Sequence, residues 1–165
     1  MIAIKKILVA TDFSPASETA LNYGRALAMQ FNASLHVLHV MHSVAIAAAN
    51  EYGFAGLPAE YDAEMEQAAV KRTRELLTDE DRQLLSATAT VVRHSTPAAA
   101  IIQSATANDI DLIVVGTHGR GALGHLFMGV VAERVVRAAP CPVLAVRNPE
   151  HEFVLPDALV AVSHA

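Results

Sequence analysis

A glycine-rich segment between two strand-like runs constrains the fold of this chain more than any other part of it. Residues 112–115 are a short, uninterrupted apolar run, typical of a strand buried on both faces of a parallel sheet. Residues 130–137 have amphipathic helical spacing, and residues 142–146 form a second apolar run. Between the first run and the helix are the glycines Gly116, Gly119, Gly121, Gly124 and Gly129. This order predicts a strand, a loop whose backbone can approach a ligand closely, a helix whose first N–H groups could hold a phosphate, and another strand.

Two glycine patterns overlap in this loop, and they point to different ligands. Residues 119–124 have the form G-x-G-x-x-G, the pattern of a dinucleotide site. That pattern normally opens the helix of a first βαβ unit, and the next strand ends in an acid. Here it follows a late strand, and the next strand ends in Arg147 and Asn148, so the context argues against a dinucleotide. The second pattern is G-x2-G-x9-G, formed by Gly116, Gly119 and Gly129.

The second spacing resembles the nucleotide-binding loop of the universal stress protein family. Other segments are similar to that family as well. Residues 7–14 (ILVATDFS) resemble its first strand and the acid that ends it, and residues 38–40 (LHV) resemble the end of its second strand. Residues 111–120 and 140–146 (PCPVLAV) resemble its last third. The resemblance covers residues 3–148, nearly the whole chain.

The chain departs from the family's pattern at one position. Members that bind ATP carry Ser or Thr after the last glycine, whereas this chain has Val130. Valine has no hydroxyl to donate to a phosphate oxygen or to assist a metal, although its backbone N–H remains. Three outcomes stay open: weaker nucleotide binding, a preference for fewer phosphates, or no nucleotide binding.

The order of elements predicts an α/β fold in which five strands alternate with four helices around a parallel sheet. The strands are predicted at residues 4–10, 34–41, 87–92, 112–115 and 142–146. The helices are predicted from Pro15, with Ser14 as its cap, over 61–77, from Pro97, and over 130–137. The family resemblance implies a three-layer sandwich with strand order 3-2-1-4-5, adenine-nucleotide alpha hydrolase-like. That order has a switch point between the first and fourth strands, where ligands bind in such sheets.

Length and spacing also predict the organisation of the chain. The 165 residues predict a single domain over residues 1–148 and a C-terminal tail over 149–165. Residues 42–60 break the alternation, and such a long connection is either a lid or binding loop, or a surface loop. Residues 78–86 are expected to be a polar connection. The inner face of the first helix is predicted to be Leu21, Gly24, Leu27, Ala28 and Phe31.

The resemblance implies a nucleotide site at the switch point. Its predicted residues are Ala10, Thr11, Asp12, Val40, Val115, Gly116, Thr117, His118, Gly119, Arg120, Gly129, Val130 and Val131. Asp12 would accept hydrogen bonds from a ribose or base, or else cap the nearby helix or stabilise the loop. The backbone at Val40 would recognise adenine. The glycines would let the loop wrap phosphates, or else serve tight turns and close packing. The side chains of Thr117, His118 and Arg120 could contact the phosphates, and Arg120 is the strongest candidate because its guanidinium is planar.

Composition and spacing argue against other classes of partner. A net charge of −5 without a basic cluster argues against nucleic acid. No apolar run reaches membrane-spanning length, no signal-peptide pattern is seen, and the lone Cys141 fits a reducing compartment, so we expect a cytoplasmic protein with no membrane partner. His36 and His39 point to opposite faces of a strand, so no structural metal site is expected. Mg²⁺ could accompany ATP, although Val130 weakens that case.

These features predict a universal stress protein that binds ATP or another adenine nucleotide as a signal. A homodimer would form through the last strand, Pro142 to Val146, which is an exposed sheet edge in a monomer. One alternative is a stress scaffold of the same fold that binds no nucleotide, which Val130 favours. Another is a nucleotidyl transferase, but His118 and His125 near the loop form no recognisable catalytic pair. We expect no enzyme, or at most slow ATP hydrolysis.

Overall fold

Five parallel strands form one sheet in the computed structural model, which describes residues 2–42, 59–117 and 129–147. The strands are β1 (Lys6–Thr11), β2 (Ser34–His42), β3 (Thr88–His94), β4 (Leu112–Gly116) and β5 (Val143–Val146). Their spatial order is β3-β2-β1-β4-β5 and every pair is parallel. This confirms the predicted order. The predicted 42–60 connection, apart from its ends, and the C-terminal tail lie outside the described residues.

Helices cover both faces of this sheet. They are α1 (Pro15–Phe31), α2 (Ala59–Glu75), α3 (Asp79–Leu84), α4 (Pro97–Ala107) and α5 (Val130–Ala138). Alternate residues of the strands divide into two separate cores. Val9 and Val37 belong to the core beneath α1, whereas Leu8 and Leu38 belong to the core beneath α4 and α5. The result is a three-layer α/β sandwich. In the described part of the chain, no helix is both long enough and apolar enough to cross a membrane.

Helix α1 lies unusually close to the central strand. Ser14 caps it by accepting a hydrogen bond from the backbone of Ser17. Leu21 and Ala28 are buried as predicted. A Cβ at Gly24 would lie 2.4 Å from Cγ2 of Val9, so only glycine fits at this point of contact. The absence of a side chain there sets the distance between the first helix and the sheet.

The prediction that Phe31 lies on the buried face of α1 was wrong. Phe31 is 39% exposed, and the helix ends immediately after it. Asn32 adopts the left-handed conformation and turns the chain, with its N–H bonded to the carbonyls of Ala28 and Met29. The turn brings Ala33 into the core, where it is buried. The buried face of α1 therefore ends at Ala28, about one helical turn earlier than the sequence suggests.

Segment 78–86 was expected to be a polar connection, but it contains the short helix α3. The Thr78 hydroxyl accepts from the backbone of Asp81, and the Asp81 carboxylate accepts from the backbone of Thr78. This reciprocal pair is a capping box, which satisfies two N–H groups at the helix start. Such a helix is difficult to predict from sequence, because its residues are mostly polar and it is stabilised by its cap and not by an apolar face.

Asp81 also ties this short helix to α1. Its carboxylate accepts from Nε of Arg25 at 3.0 Å, and Nη2 of Arg25 lies 2.9 Å from it. The same guanidinium donates to the carbonyl of Leu76. Burial of Asp81 opposes its ionisation, but the hydrogen bonds from Arg25 and Thr78 and the charge of Arg25 outweigh it and lower the pKa of Asp81. The ionised carboxylate is therefore a structural component of the fold.

We predict that Asp81→Asn destabilises the protein near neutral pH and that the difference vanishes in acid. Because the pKa of Asp81 is lower in the folded state, its contribution is present above the unfolded value of about 3.9 and is lost as pH falls through the folded value. The expected loss is about 1–3 kcal/mol in the free energy of unfolding. Urea unfolding measured over a pH series checks this.

The matched control is Asp79→Asn, in the same helix. Asp79 is 94% exposed at its side chain, and within the described part of the chain its ion-pair partner is the surface residue Arg82. Its replacement should change stability by less than about 1 kcal/mol. Equal losses for the two variants, or a loss for Asp81→Asn that persists unchanged in acid, would contradict the assignment.

Candidate functional site

The carboxyl ends of β1 and β4 meet at the switch point of the sheet. Ala10 lies opposite Val115 in the register of these two strands. The chain leaves β1 for α1 on one face and leaves β4 towards α5 on the other face. Between such diverging connections a crevice opens, and ligands of doubly wound folds bind there. Two predicted parts of the site, the end of β1 and the end of β4, are therefore adjacent.

The turn that follows β1 is closely hydrogen-bonded. Oδ1 of Asp12 accepts from the backbone N of Ser14 at 3.0 Å and from its Oγ at 2.5 Å. The N–H of Phe13 donates to Oγ1 of Thr11, which also lies 3.1 Å from Oγ of Ser17. Asp12 thus stabilises the turn, whereas the cap of α1 is Ser14. Its role towards a ligand stays a prediction.

Gly116 is explained by packing against the first turn of α1. A Cβ at Gly116 would lie 2.8 Å from both the carbonyl carbon and the carbonyl oxygen of Ala16. These are backbone atoms, which cannot move aside as a flexible side chain can. Close packing, one of the two explanations offered for this glycine by the sequence, is therefore sufficient to require it.

The two ends of the glycine loop are held together at the end of β4. Thr117 donates its N–H to the carbonyl of Val146, and its own carbonyl accepts from the N–H of Gly129. Thr117 is 7% exposed, so its side chain lies inside the fold. The predicted residues His118, Gly119 and Arg120 lie outside the described residues. The backbone contact between residues 117 and 129 brings the start of α5 beside the end of β4.

The start of α5 offers backbone donors and apolar side chains. Gly129 is the residue before the first helical turn and makes no side-chain cap. Val130 is 64% exposed and Val131 is 39% exposed. The N–H groups of a first helical turn lack partners within the helix and carry the positive end of its dipole. This end of α5 can therefore attract an anion through its backbone but not through a hydroxyl.

The remaining predicted residues line the α4–α5 side of the strand ends. Ala10 and Val40 are partly buried and pack against the core on that side, to which the buried Val115 also belongs. Val40 lies opposite Val92 in the register of β2 and β3, beyond the end of β1. Its side chain is a core valine, and any recognition of a ligand would use its backbone.

Sequence reasoning missed a group of three side chains beside the turn, which we call the Phe13 cluster: Phe13, His39 and Arg72. The ring centroids of Phe13 and His39 are 4.4 Å apart, and Cζ of Arg72 lies 4.1 Å from the centroid of Phe13. His39 Nδ1 lies 2.9 Å from the carbonyl oxygen of Thr11. No sequence signal joins the three, because the contact between the turn and α2 spans almost sixty positions along the chain.

Other groups with potential chemistry are used structurally. His36 lies between Oγ of Ser34 and Oγ1 of Thr88, and its burial together with the charge of Lys6 lowers its pKa. Burial and the nearby Asp111 carboxylate raise the pKa of the Cys141 thiol, so the thiol stays protonated. Among residues 2–42, 59–117 and 129–147, no three His, Cys, Asp or Glu side chains are grouped to hold a metal ion.

A parallel sheet of this order, with helices on both faces and a switch point between β1 and β4, defines a doubly wound α/β domain. The chain belongs to the universal stress protein family, whose model matches residues 3–147. It is 32% identical over 156 residues to universal stress protein MJ0531 of Methanocaldococcus jannaschii, covering 90% of this chain and 85% of that protein. A universal stress protein of Thermus aquaticus is 34% identical over 148 residues, covering 87% and 98%.

Solved structures agree on the fold. Universal stress protein UspA of Lactobacillus plantarum superposes with a TM-score of 0.64 at 24% identity, covering 89% of this chain and all of that one. A universal stress protein in complex with cAMP gives a TM-score of 0.62 at 22% identity, covering 88% and 98%. The Archaeoglobus fulgidus protein in complex with dAMP gives 0.54 at 19% identity, covering 88% and 99%. At these identities the likeness establishes the shared fold.

We predict that Gly116→Ala destabilises the protein even without any ligand. The added Cβ would meet the backbone of Ala16, and overpacking of this kind costs about 1–3 kcal/mol. Urea unfolding of the ligand-free protein measures the loss. The double variant Gly116→Ala with Ala16→Gly removes the 3.0 Å contact between the two Cβ atoms but keeps both backbone contacts, so it should recover little. An unchanged stability of Gly116→Ala, or full recovery in the double variant, would contradict this explanation of the glycine.

Proposed function

We propose that this universal stress protein binds ATP or another adenine nucleotide in the crevice between the carboxyl ends of β1 and β4, as a homodimer whose occupancy acts as a signal. The observation that carries the proposal is the convergence of the Asp12 turn with the start of α5 at the switch point. Support also comes from the universal stress proteins of the same fold that were solved with cAMP and dAMP. A cytoplasmic location is part of the same proposal.

Each part of the crevice has a role in this proposal. The N–H groups at the start of α5 would bind phosphate oxygens, helped by the helix dipole. Asp12 would accept from a ribose hydroxyl or the base, since a carboxylate offers about four acceptor positions and can serve Ser14 as well. The backbone of Val40 would contact the adenine. Mg²⁺, if present, would be held by the phosphates, because Val130 has no hydroxyl for it. No residue is assigned a catalytic role.

A second candidate is a stress scaffold of the same fold that binds no nucleotide. The observation in its favour is Val130, which is 64% exposed at the start of α5, where ATP-binding relatives would carry a hydroxyl. An exposed valine at this position has no side-chain donor for a phosphate, and a bound phosphate would not cover its apolar surface. The two candidates differ in a single measurable property, nucleotide affinity.

We predict that adenine nucleotide is bound by the purified protein and that Val130→Thr binds ATP more tightly. Threonine has nearly the shape of valine and adds one donor to a charged phosphate, so the expected gain is about three- to tenfold in Kd. Mass spectrometry of ligand released on denaturation identifies a bound nucleotide. Calorimetric titration with ATP, ADP and AMP, with and without Mg²⁺, gives the affinities.

Two controls sharpen this titration. Val130→Ala shortens the side chain without adding a hydroxyl and should not gain affinity. Asp12→Asn should weaken binding, whereas Asp79→Asn, an exposed acid on α3, should not. If no nucleotide is recovered, and neither the unmodified protein nor Val130→Thr gives binding heat, nucleotide binding is refuted and the scaffold function is favoured.

We predict that Ala145→Pro converts the dimer to a monomer that stays folded. Val146 and Pro142 use their carbonyls to pair with β4, so by alternation the backbone of Ala145 faces away from β4, at the edge where the proposed second copy would pair. Proline at this position removes an outward N–H without breaking the pairing with β4. Sedimentation velocity measures the mass, and far-UV circular dichroism checks the fold.

Ala145→Val is the matched control, since it keeps the outward N–H and should remain dimeric. Leu144→Pro should unfold the edge instead, because Leu144 lies opposite Val114 and alternates with Ala145. A dimer that survives Ala145→Pro would show that the subunits associate through another surface.

A further inference from the structure

The Phe13 cluster has no role in the proposed binding of nucleotide, yet it lies directly beside Asp12. It joins three elements: the β1–α1 turn through Phe13, β2 through His39 and α2 through Arg72. His39 makes a second link to the turn through the carbonyl of Thr11. The turn is thus attached to two elements that approach it from the β2 side, away from β4 and the glycine loop.

Phe13 has an unusual backbone that needs support. Its φ is 63°, in the left-handed region, where a bulky residue is strained. Asn and Asp tolerate this region because their side chains bond to nearby backbone, but a phenylalanine side chain has no donor or acceptor. The ring contacts with His39 and Arg72 are therefore the side-chain interactions that hold Phe13 in place.

The conformation of Phe13 determines where the Asp12 carboxylate lies. The two hydrogen bonds from Ser14 to Asp12 close a short ring that contains Phe13. The N–H of Phe13 also donates to Thr11 across the same turn. A rotation about the backbone of Phe13 would move Ser14 away from Asp12 and open the two bonds between them.

Arg72 is the member of the cluster whose position is least explained by the rest of the fold. It is exposed, and no carboxylate of the described residues lies within ion-pair distance of it. By contrast, Arg25 and Arg93 each pair with acids. A guanidinium is planar and weakly hydrated, which suits it to lie over an aromatic ring. The Phe13 ring is the contact that places it.

We propose that Arg72 is a positioning residue: by packing on Phe13 it holds the β1–α1 turn in the conformation that presents Asp12 to a ligand. Its effect on affinity rests on the proposed nucleotide function, whereas its effect on the turn does not. Through this contact α2 supports the candidate site, because displacement of Arg72 would release the turn. The ligand itself need not touch Arg72.

The first test measures the turn in the ligand-free protein. Hydrogen exchange of the Ser14 amide, followed by NMR, reports its bond to Asp12. Arg72→Gln should speed this exchange about two- to fivefold, and Arg72→Lys, which keeps a cation over the ring, should speed it less. Arg74→Gln, an equal change of charge on the exposed surface of the same helix, should leave it unchanged. Equal exchange rates in Arg72→Gln and Arg74→Gln would overturn the proposal.

The second test measures ATP affinity by calorimetry. Arg72→Gln should weaken binding about two- to fivefold, because the competent turn is populated less, and Arg72→Lys should restore part of the loss. Phe13→Tyr keeps the ring and should bind as the unmodified protein does, whereas Phe13→Leu should bind more weakly. If Arg72→Gln and Arg74→Gln bind ATP equally, Arg72 does not position the site.

The two tests separate the failure of this inference from the failure of the proposed function. If the unmodified protein binds none of ATP, ADP and AMP, nucleotide binding is refuted, and the exchange rates still decide whether Arg72 holds the turn. If nucleotide binds and the exchange rates do not respond to Arg72→Gln, the function stands and the role of Arg72 is refuted.

Discussion

The close approach of α1 to the central strands is the constraint on which the rest of the structure depends. Glycine occurs at both points of closest contact: Gly24 faces Val9 in the middle of the helix, and Gly116 faces Ala16 at its start. Side chains at these positions would push the helix away from β1 and β4. Because α1 begins directly after β1, its depth also sets the height of the turn that carries Asp12. The candidate site is therefore a consequence of helix packing before any ligand is considered.

The same contact links the two halves of the site. Gly116 ends β4, and the residue after it, Thr117, bonds both to β5 through Val146 and to the start of α5 through Gly129. On the other side, the Asp12 turn is bonded within itself and packed on the Phe13 cluster. A shift of α1 would therefore move both the Asp12 turn and the end of β4.

Polar interactions fix the positions of some helices and strands that the apolar cores alone would not fix. Asp81 closes the capping box of α3 and pairs with Arg25 of α1. Asp111 accepts from the backbone N–H groups of Lys5 and Lys6 and so aligns the starts of β4 and β1. Each carboxylate is matched by several donors, which is the condition for a partly buried charge to stabilise a fold. The register of the central strands and the placement of α3 rest on these two acids.

The sequence by itself determined the five strands, the four longer helices, the parallel sheet and the approximate ends of β1 and β4. Apolar runs such as residues 112–115 and the cap of Ser14 before Pro15 are local signals, and local signals survive without tertiary information. Motif spacing also identified the family, and the two strand ends that it singled out, those of β1 and β4, are adjacent in the sheet. The sequence left alternative roles open for Asp12 and for Gly116. The distances from Asp12 to Ser14 and from Gly116 to Ala16 were needed to interpret these alternatives.

Only the tertiary structure decided which contacts those residues make. Phe31 has the spacing of a buried residue, but the turn at Asn32 leaves it exposed and buries Ala33 instead. The capping box of α3 lies in a polar segment with no apolar period to reveal it. Arg72 meets Phe13 because α2 packs on the same face of the sheet as α1, and a single sequence carries no periodic signal for such a long-range pair. Local chemistry fixes elements, whereas the packing of elements determines which side chains meet.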